Sequence, residues 1–104
     1  VLGDMLELGE TAPEQHYRIG FEAARSGVDL LVAVGDLARA AAAGAIEGGL
    51  PESAIVHVPS TDEAIARVPA LVRAGDVVLV KGSHRTGLDR LVQRLVTFLR
   101  EDAA

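Results

Sequence analysis

The sequence has no cysteine and no tryptophan among its 104 residues, and only two phenylalanines and one tyrosine. Without cysteine, a disulfide framework and a thiolate-ligated metal site are both excluded, and an intracellular origin is favoured. No apolar run approaches the ~18 residues that a membrane-spanning helix needs, and the first residues lack the basic region of a signal peptide. These absences predict a soluble domain that does not contact a membrane.

Positive charge is also scarce, because 10 lysines and arginines stand against 15 aspartates and glutamates, for a net charge of −5. Nucleic acids and anionic membrane surfaces both reward clustered positive charge, so the composition argues against either as a partner. Hydrophobic residues make up 49% of the chain, which is enough for a packed core. At 104 residues the chain has the size of a single domain.

Four short apolar runs alternate with four longer stretches of helical periodicity, the pattern of βαβ units around a parallel sheet. The runs are continuous rather than alternating, which indicates burial on both faces of the sheet. They are Val1–Leu2, Leu30–Val34, Ile55–Val58 and Val77–Val80. With right-handed crossovers the pattern predicts an α/β fold, a Rossmann-like three-layer sandwich whose mostly parallel sheet has the order 3-2-1-4 and helices on both faces.

Capping and glycine signals place the first two helices. The spacing of Thr11 and Glu14 is that of a capping box, so the first helix should begin near Thr11 and end at Gly27. The second helix should open at Asp36, acting as its N-cap, and run to Gly48.

The third and fourth helices have clearer signals. A second capping box, Ser60–Glu63, should begin the third helix, which Pro69 should kink or shorten. The fourth helix carries the most regular apolar stripe of the chain, at Leu88, Leu91, Val92, Leu95, Val96 and Leu99.

Two loops that follow predicted strands carry the candidate chemistry, Gly3–Glu10 after the first strand and Lys81–Gly87 after the fourth. The order 3-2-1-4 places these strands side by side, so the two loops should meet. In an open α/β sheet, ligands bind in the crevice beyond the carboxyl ends of the strands where the strand order reverses. We therefore expect the ligand site between these two loops.

The residues of the crevice suit a ligand with a carboxylate at one end and an amine at the other. Lys81 and Arg85 offer positive charge, Ser83 offers a hydroxyl, and the amides around Gly82 and at the start of the last helix can bind an anionic oxygen. Asp4 on the facing loop could hold an ammonium. The alternative is a salt bridge between Asp4 and Lys81 beside a glycine turn that only connects strand to helix.

Several common sites are excluded by spacing. A P-loop needs a second glycine, separated by four residues from Gly-Lys-Ser/Thr, whereas in Lys81-Gly82-Ser83 the lysine precedes the glycine. The dinucleotide pattern Gly-x-Gly-x-x-Gly is missing after the first strand. Ser83 and His84 are adjacent in sequence, which does not provide a hydrogen-bonded base, so no catalytic residue is predicted.

The three histidines are too scattered for a metal site, since no pair has the i, i+4 spacing. His16 on the first helix is interpreted as structural, and His57 falls within a predicted strand. His84 alone lies in the expected crevice, where it is a further candidate for ligand contact.

Four segments together resemble a known family. They are Val1–Glu10, His16–Gly20, Val32–Gly35 and Gly75–Ser83. They look like the C-terminal domain of the Mur ligases, and the start Leu-Gly-Asp-Met-Leu-Glu-Leu-Gly resembles the members that add D-alanyl-D-alanine. The resemblance spans essentially the whole chain. It agrees with the expectation, from the missing initiator methionine and the abrupt first strand, that the chain is a domain excised from a longer protein.

The resemblance implies a larger three-domain cytoplasmic enzyme of peptidoglycan synthesis, the process that builds the cell wall. An N-terminal domain would hold UDP-N-acetylmuramoyl-tripeptide, and a central domain would bind ATP and Mg²⁺ through its P-loop. Residues 1–104 would form the third domain, which closes over the other two and presents D-alanyl-D-alanine. In the family mechanism ATP converts the peptide carboxylate to an acyl phosphate, which the dipeptide amine attacks, so the isolated domain should be inactive.

Carried onto this sequence, the resemblance implies that Lys81, Gly82 and Ser83 hold the dipeptide carboxylate, with Asp4 on the facing loop. The family usually continues Lys-Gly-Ser with arginine, but here His84 stands at that position and Arg85 follows. Either Arg85 replaces the family arginine or His84 weakens the contact.

Two other functions remain open at the level of sequence. One is a stand-alone Rossmann-like module that binds a small anion or nucleotide. The other is a Mur ligase that adds a different amino acid, which the Leu-Gly-Asp-Met start argues against.

Overall fold

A computed structural model describes the backbone of residues 1–103 and the side chains of residues 1–101. Three parallel strands form the sheet, in the order β1 (Leu2–Gly3), β2 (Leu31–Val34) and β3 (Ile55–Val58). Leu2 lies opposite Ala33, and Val34 lies opposite Val58. Since parallel strands end at one edge, this register places the loops after all three strands on the same side of the molecule.

Four helices cover the sheet: α1 (Ala12–Arg25), α2 (Arg39–Glu47), α3 (Thr61–Arg67) and α4 (Asp89–Ala103). One core cluster contains Val32, Val34 and Val58 from the sheet together with residues of α3 and α4. The other contains Leu2 and Leu31 together with residues of α2. Neighbouring residues of β2 thus pack into different clusters, which confirms the predicted sandwich with helices on both faces. No helix within residues 1–103 combines the length and the apolar character needed to cross a membrane.

The predicted fourth strand at Val77–Val80 is not formed as a regular strand in the described residues. Val77 is 97% exposed and Leu79 is 75% exposed, and no strand is formed there. Hydrogen bonding to the outer edge of β1 begins only at Leu79, whose carbonyl accepts from the Val1 amino group at 2.7 Å, and continues in a parallel bridge between Leu2 and Lys81. Within the described residues, Val77 and Val78 form no backbone hydrogen bond to β1. The three strands agree with the order 3-2-1, and the fourth position stays a prediction.

Helix α1 begins at Ala12, beside Thr11 as predicted, whereas the predicted start of α2 at Asp36 is wrong. Residues Gly9–Thr11 form a single 3₁₀ turn before α1, and the Thr11 hydroxyl donates to the Leu8 carbonyl instead of capping the helix. Helix α2 begins at Arg39 rather than at Asp36, and Asp36 forms only an exposed ion pair with Arg39 at 3.7 Å. The amino end of α2 is organised instead by Asp4, which is distant in the sequence.

The signals of the second half are more local and are largely confirmed. The Ser60 hydroxyl accepts a hydrogen bond from the Glu63 amide at 3.2 Å and caps α3. Helix α3 ends at Arg67 and continues as a 3₁₀ turn through Pro69, as the proline predicts. In α4 the stripe is split, because Leu88, Leu91 and Leu95 are buried at the sheet whereas Val92, Val96 and Leu99 are 40–44% exposed.

Candidate functional site

The loops after β1 and before α4 meet, as expected from the sequence. The Ser83 amide donates to the Asp4 carbonyl at 3.0 Å. In return the Leu6 amide donates to the Ser83 hydroxyl oxygen at 2.6 Å. Ser83 therefore joins the two loops through both its backbone and its side chain.

The Asp4 carboxylate lies at the amino end of α2. Its Oδ1 accepts a hydrogen bond from the Ala38 amide at 2.8 Å. Gly35, at a φ of 106°, makes room for the carboxylate, because a Cβ there would lie 2.5 Å from the Asp4 carboxyl atoms. A carboxylate beside unpaired helical amides is favoured by hydrogen bonding and by the helix dipole. Asp4 thus does for α2 what the sequence predicted for Asp36.

The alternative of a salt bridge between Asp4 and Lys81 is not supported. Among the ion pairs that the described side chains form, none joins these two residues. Lys81 is exposed, and its backbone pairs with β1 through the Gly3 amide, which donates to the Lys81 carbonyl at 2.7 Å. Asp4 and Lys81 therefore remain separately available to a ligand.

Gly82 lies where the second loop passes closest to β1. A Cβ at this position would lie 3.2 Å from the Gly3 Cα and 2.9 Å from Leu88 Cδ1. Any larger residue would push the loop away from the strand, so Gly82 sets the distance between the two loops.

The Ser83–Gly87 segment forms a compact turn rather than the start of α4. Residues His84–Thr86 make one 3₁₀ turn that ends at Gly87 with a φ of 74°. The Thr86 hydroxyl donates to the Ser83 carbonyl, and the Thr61 hydroxyl at the start of α3 donates to the Thr86 carbonyl, each at 2.6 Å. Helix α4 begins at Asp89, directly after this turn, and anion binding by its first amides stays a prediction.

Arg85 and His84 lie on the outside of this turn and are exposed. The Arg85 guanidinium is 3.2 Å from Glu7 Oε1, so this ion pair joins the two loops a second time. Glu7 has a φ of 70°, the one positive value for a residue other than glycine in the described chain. Sequence analysis missed this residue because no short-range pattern marks a glutamate in a left-handed conformation.

Lys81 also borders a groove at the opposite, amino-terminal end of the strands. The groove has a volume of about 560 Å³ and is lined largely by apolar residues, among them Val28, Leu30 and Val77. The most exposed apolar side chains of the described chain therefore lie away from the two loops. The sequence predicted an apolar patch beside the two loops instead. In the loop after β1, Leu8 is exposed to only 37%.

The histidines have separate roles. His16 is fully buried; its ring Nδ1 donates to the Ala12 carbonyl at 2.6 Å, and its Nε2 accepts from the Met5 amide at 2.9 Å. His57 donates to the Gly35 carbonyl at 2.9 Å. Within the described residues, no group of three histidine, cysteine, aspartate or glutamate side chains is placed to hold a metal ion.

Comparison with known proteins gives a consistent result. Residues 1–84 match the family model described as Mur ligase, glutamate ligase domain. The chain is 43% identical over 98 residues to the UDP-N-acetylmuramoyl-tripeptide--D-alanyl-D-alanine ligase of Mycobacterium leprae, a match that covers 92% of this chain and 19% of that protein. The protein of the same name from Treponema pallidum is 37% identical over 92 residues, covering 88% of this chain and 20% of its own length.

The fold has a counterpart among solved structures. A crystal structure of MurF from Acinetobacter baumannii superposes with a TM-score of 0.74 at 29% identity, over 91% of this chain and 21% of that one. The chain thus spans about a fifth of the length of the curated relatives and of the solved structure that it matches.

Proposed function

This chain belongs to the Mur ligase family, and we propose that it is the C-terminal, amino-acceptor-binding domain of a three-domain ligase that adds D-alanyl-D-alanine to UDP-N-acetylmuramoyl-tripeptide. The observation that carries the proposal is the identity of 37–43% to ligases of that name over about nine-tenths of this chain. The proposed reaction belongs to peptidoglycan synthesis, and through it to cell shape and division. We place the enzyme in the cytoplasm, where its nucleotide-linked substrate and ATP are available.

We assign no site for ATP and Mg²⁺ to the described residues. They contain no suitable group of three ligating side chains, and the sequence has no P-loop. We therefore assign ATP and Mg²⁺ to the central domain, which would convert the peptide carboxylate to an acyl phosphate. The N-terminal domain would hold the UDP-linked peptide, and residues 1–104 would bring the dipeptide amine to it.

We assign the dipeptide carboxylate to the loop that begins at Lys81. Lys81 and Arg85 would supply positive charge, and the backbone at Gly82 would allow close approach. The Ser83 hydroxyl oxygen already accepts from the Leu6 amide, so its own proton remains to be donated to an anionic oxygen. His84, exposed on the same turn, is a further candidate contact.

We assign the amino end of the dipeptide to Asp4. One oxygen of this carboxylate is held by the Ala38 amide, which fixes the orientation of the group and leaves the second oxygen for an ammonium. The amine must lose a proton before it attacks, so in this proposal Asp4 orients the dipeptide and is not a catalytic residue. The acyl phosphate would be attacked at a carbon held by the other two domains.

The test is phosphate release by the full-length protein supplied with ATP, Mg²⁺ and UDP-N-acetylmuramoyl-tripeptide, with and without D-alanyl-D-alanine. Release that depends on the dipeptide supports the proposal, and residues 1–104 alone should release none. Release that depends on another amino acid identifies a different acceptor within the family. If no amino component stimulates release, the ligase assignment fails, and the domain becomes a candidate for binding a small anion or nucleotide.

A further inference from the structure

We propose that His16 is a positioning residue for the acceptor site, acting through the backbone amide of Met5. This inference rests on the proposed function, because the site that His16 supports is the one assigned above to the dipeptide. His16 lies on α1 and forms no part of that site itself.

The hydrogen bonds of His16 define a single form of its ring. The Ala12 carbonyl can only accept and the Met5 amide can only donate, so the proton is on Nδ1 and Nε2 is an acceptor. The side chain is fully buried, and Met5 is 11 positions away in sequence. Burying a polar ring costs desolvation free energy, whereas an apolar residue of similar size would fill the same space without that cost. The hydrogen bond to the Met5 amide offsets the cost, which indicates a role for the bond itself.

Met5 lies between two residues that are held by other parts of the fold. Asp4 is bound to the amino end of α2 through Ala38, and Leu6 is bound to the Ser83 hydroxyl. Three consecutive residues of the loop are thus each held by a different element. Of the three side chains that make these contacts, that of His16 is the most completely buried.

The next residue shows why such fixation matters. Glu7 has a φ of 70°, a conformation that side chains other than glycine adopt only where the surroundings enforce it. If the Met5 amide loses its acceptor, the loop can relax at Glu7. The Leu6 amide would then move away from Ser83, whose hydroxyl is assigned to the dipeptide carboxylate.

The experiment compares two amide variants of His16 in the full-length ligase. In His16→Gln the side-chain oxygen can reach the position of Nε2 and accept from Met5, whereas in His16→Asn it is too short to do so. We expect His16→Asn to raise the KM for D-alanyl-D-alanine about tenfold, the effect of one buried donor left unpaired, with the KM for ATP unchanged. His16→Gln should restore the dipeptide KM to within about threefold of the wild-type value.

Val68→Ala is the matched control for destabilisation alone, because Val68 is 2% exposed and packs in the cluster formed with α3 and α4. It should lower the melting temperature and leave the dipeptide KM unchanged. Equal dipeptide KM values for the Asn and Gln variants, or a parallel rise in the KM for ATP, would overturn the proposal.

A second measurement covers the case in which His16→Asn does not fold. Hydrogen exchange of residues 4–8 should be as slow in full-length His16→Gln as in the wild type, and fast exchange there together with an unchanged dipeptide KM refutes a positioning role. Failure of the proposed function can be told apart from failure of this positioning role. If the proposed function is wrong, the wild-type protein itself shows no phosphate release that depends on D-alanyl-D-alanine.

Discussion

The hydroxyl oxygen of Ser83 accepts a hydrogen bond from the Leu6 amide at 2.6 Å, although the two residues are 77 positions apart in the sequence. The bond joins the loop after β1 to the turn before α4. Because Ser83 uses its oxygen as an acceptor, its proton is left for a ligand. One side chain can therefore support the loop and contact an anion at the same time.

Ser83→Ala in the full-length ligase should raise the KM for D-alanyl-D-alanine about tenfold or more while the KM for ATP stays constant, because a charge-assisted hydrogen bond contributes roughly 1.5–3 kcal/mol. Steady-state kinetics with each substrate varied in turn measures the difference. Ser60→Ala is the matched control, since Ser60 caps α3 and its loss should lower stability alone. Equal changes in both KM values for Ser83→Ala would assign this serine to folding instead.

Lys81→Ala should also raise the dipeptide KM by about ten- to a hundredfold, because it removes a charge assigned to the dipeptide carboxylate. The wild-type KM should increase with salt concentration, and the variant should lose part of that dependence. Arg73→Ala removes an exposed positive charge elsewhere and serves as the comparison. An unaltered dipeptide KM in Lys81→Ala would remove this lysine from the site.

Arg85 and His84 allow a test of which position supplies the arginine typical of the family. Arg85→Ala should weaken dipeptide binding with little effect on stability, because its ion pair with Glu7 is exposed and such pairs contribute about 0–1 kcal/mol. Adding His84→Arg to this variant should restore the dipeptide KM if the two positions are equivalent. No recovery in the double variant would mean that only residue 85 reaches the ligand.

Asp4→Asn should destabilise the domain by about 0.3–1 kcal/mol, because it keeps a hydrogen-bond acceptor at the amino end of α2 but removes the negative charge that the helix dipole favours there. Urea unfolding of the 104-residue chain measures the change. Asp36→Asn is the control, as Asp36 is the sequence neighbour of the helix but forms only an exposed ion pair. If the Asp36 variant proved the less stable of the two, the cap would be local after all.

The features of this domain that the sequence predicts well are those determined by residues close together in the chain. Strand β3 has the predicted bounds Ile55–Val58, and the Ser60 cap depends on an amide three positions away. Val77–Val80 has the composition of a strand, but the backbone hydrogen bonds to Val1 are made by Leu79 and Lys81, and no local pattern records this pairing. The meeting of the two loops at Ser83 could be predicted from the strand order. The contact of His16 could not, because it depends on the Met5 amide, which lies 11 positions away in another element.

The Asp4 cap also has a consequence for the order of events during synthesis. Asp4, Ala38 and Ser83 come from the beginning, the middle and the later part of the chain, yet they are linked through the backbone and side chain of Asp4. A nascent chain that has not yet emerged beyond residue 80 has β1, β2 and β3 but lacks the turn that holds Leu6. The contact between the two loops therefore forms only after Ser83 has been synthesised, well after the three strands are complete.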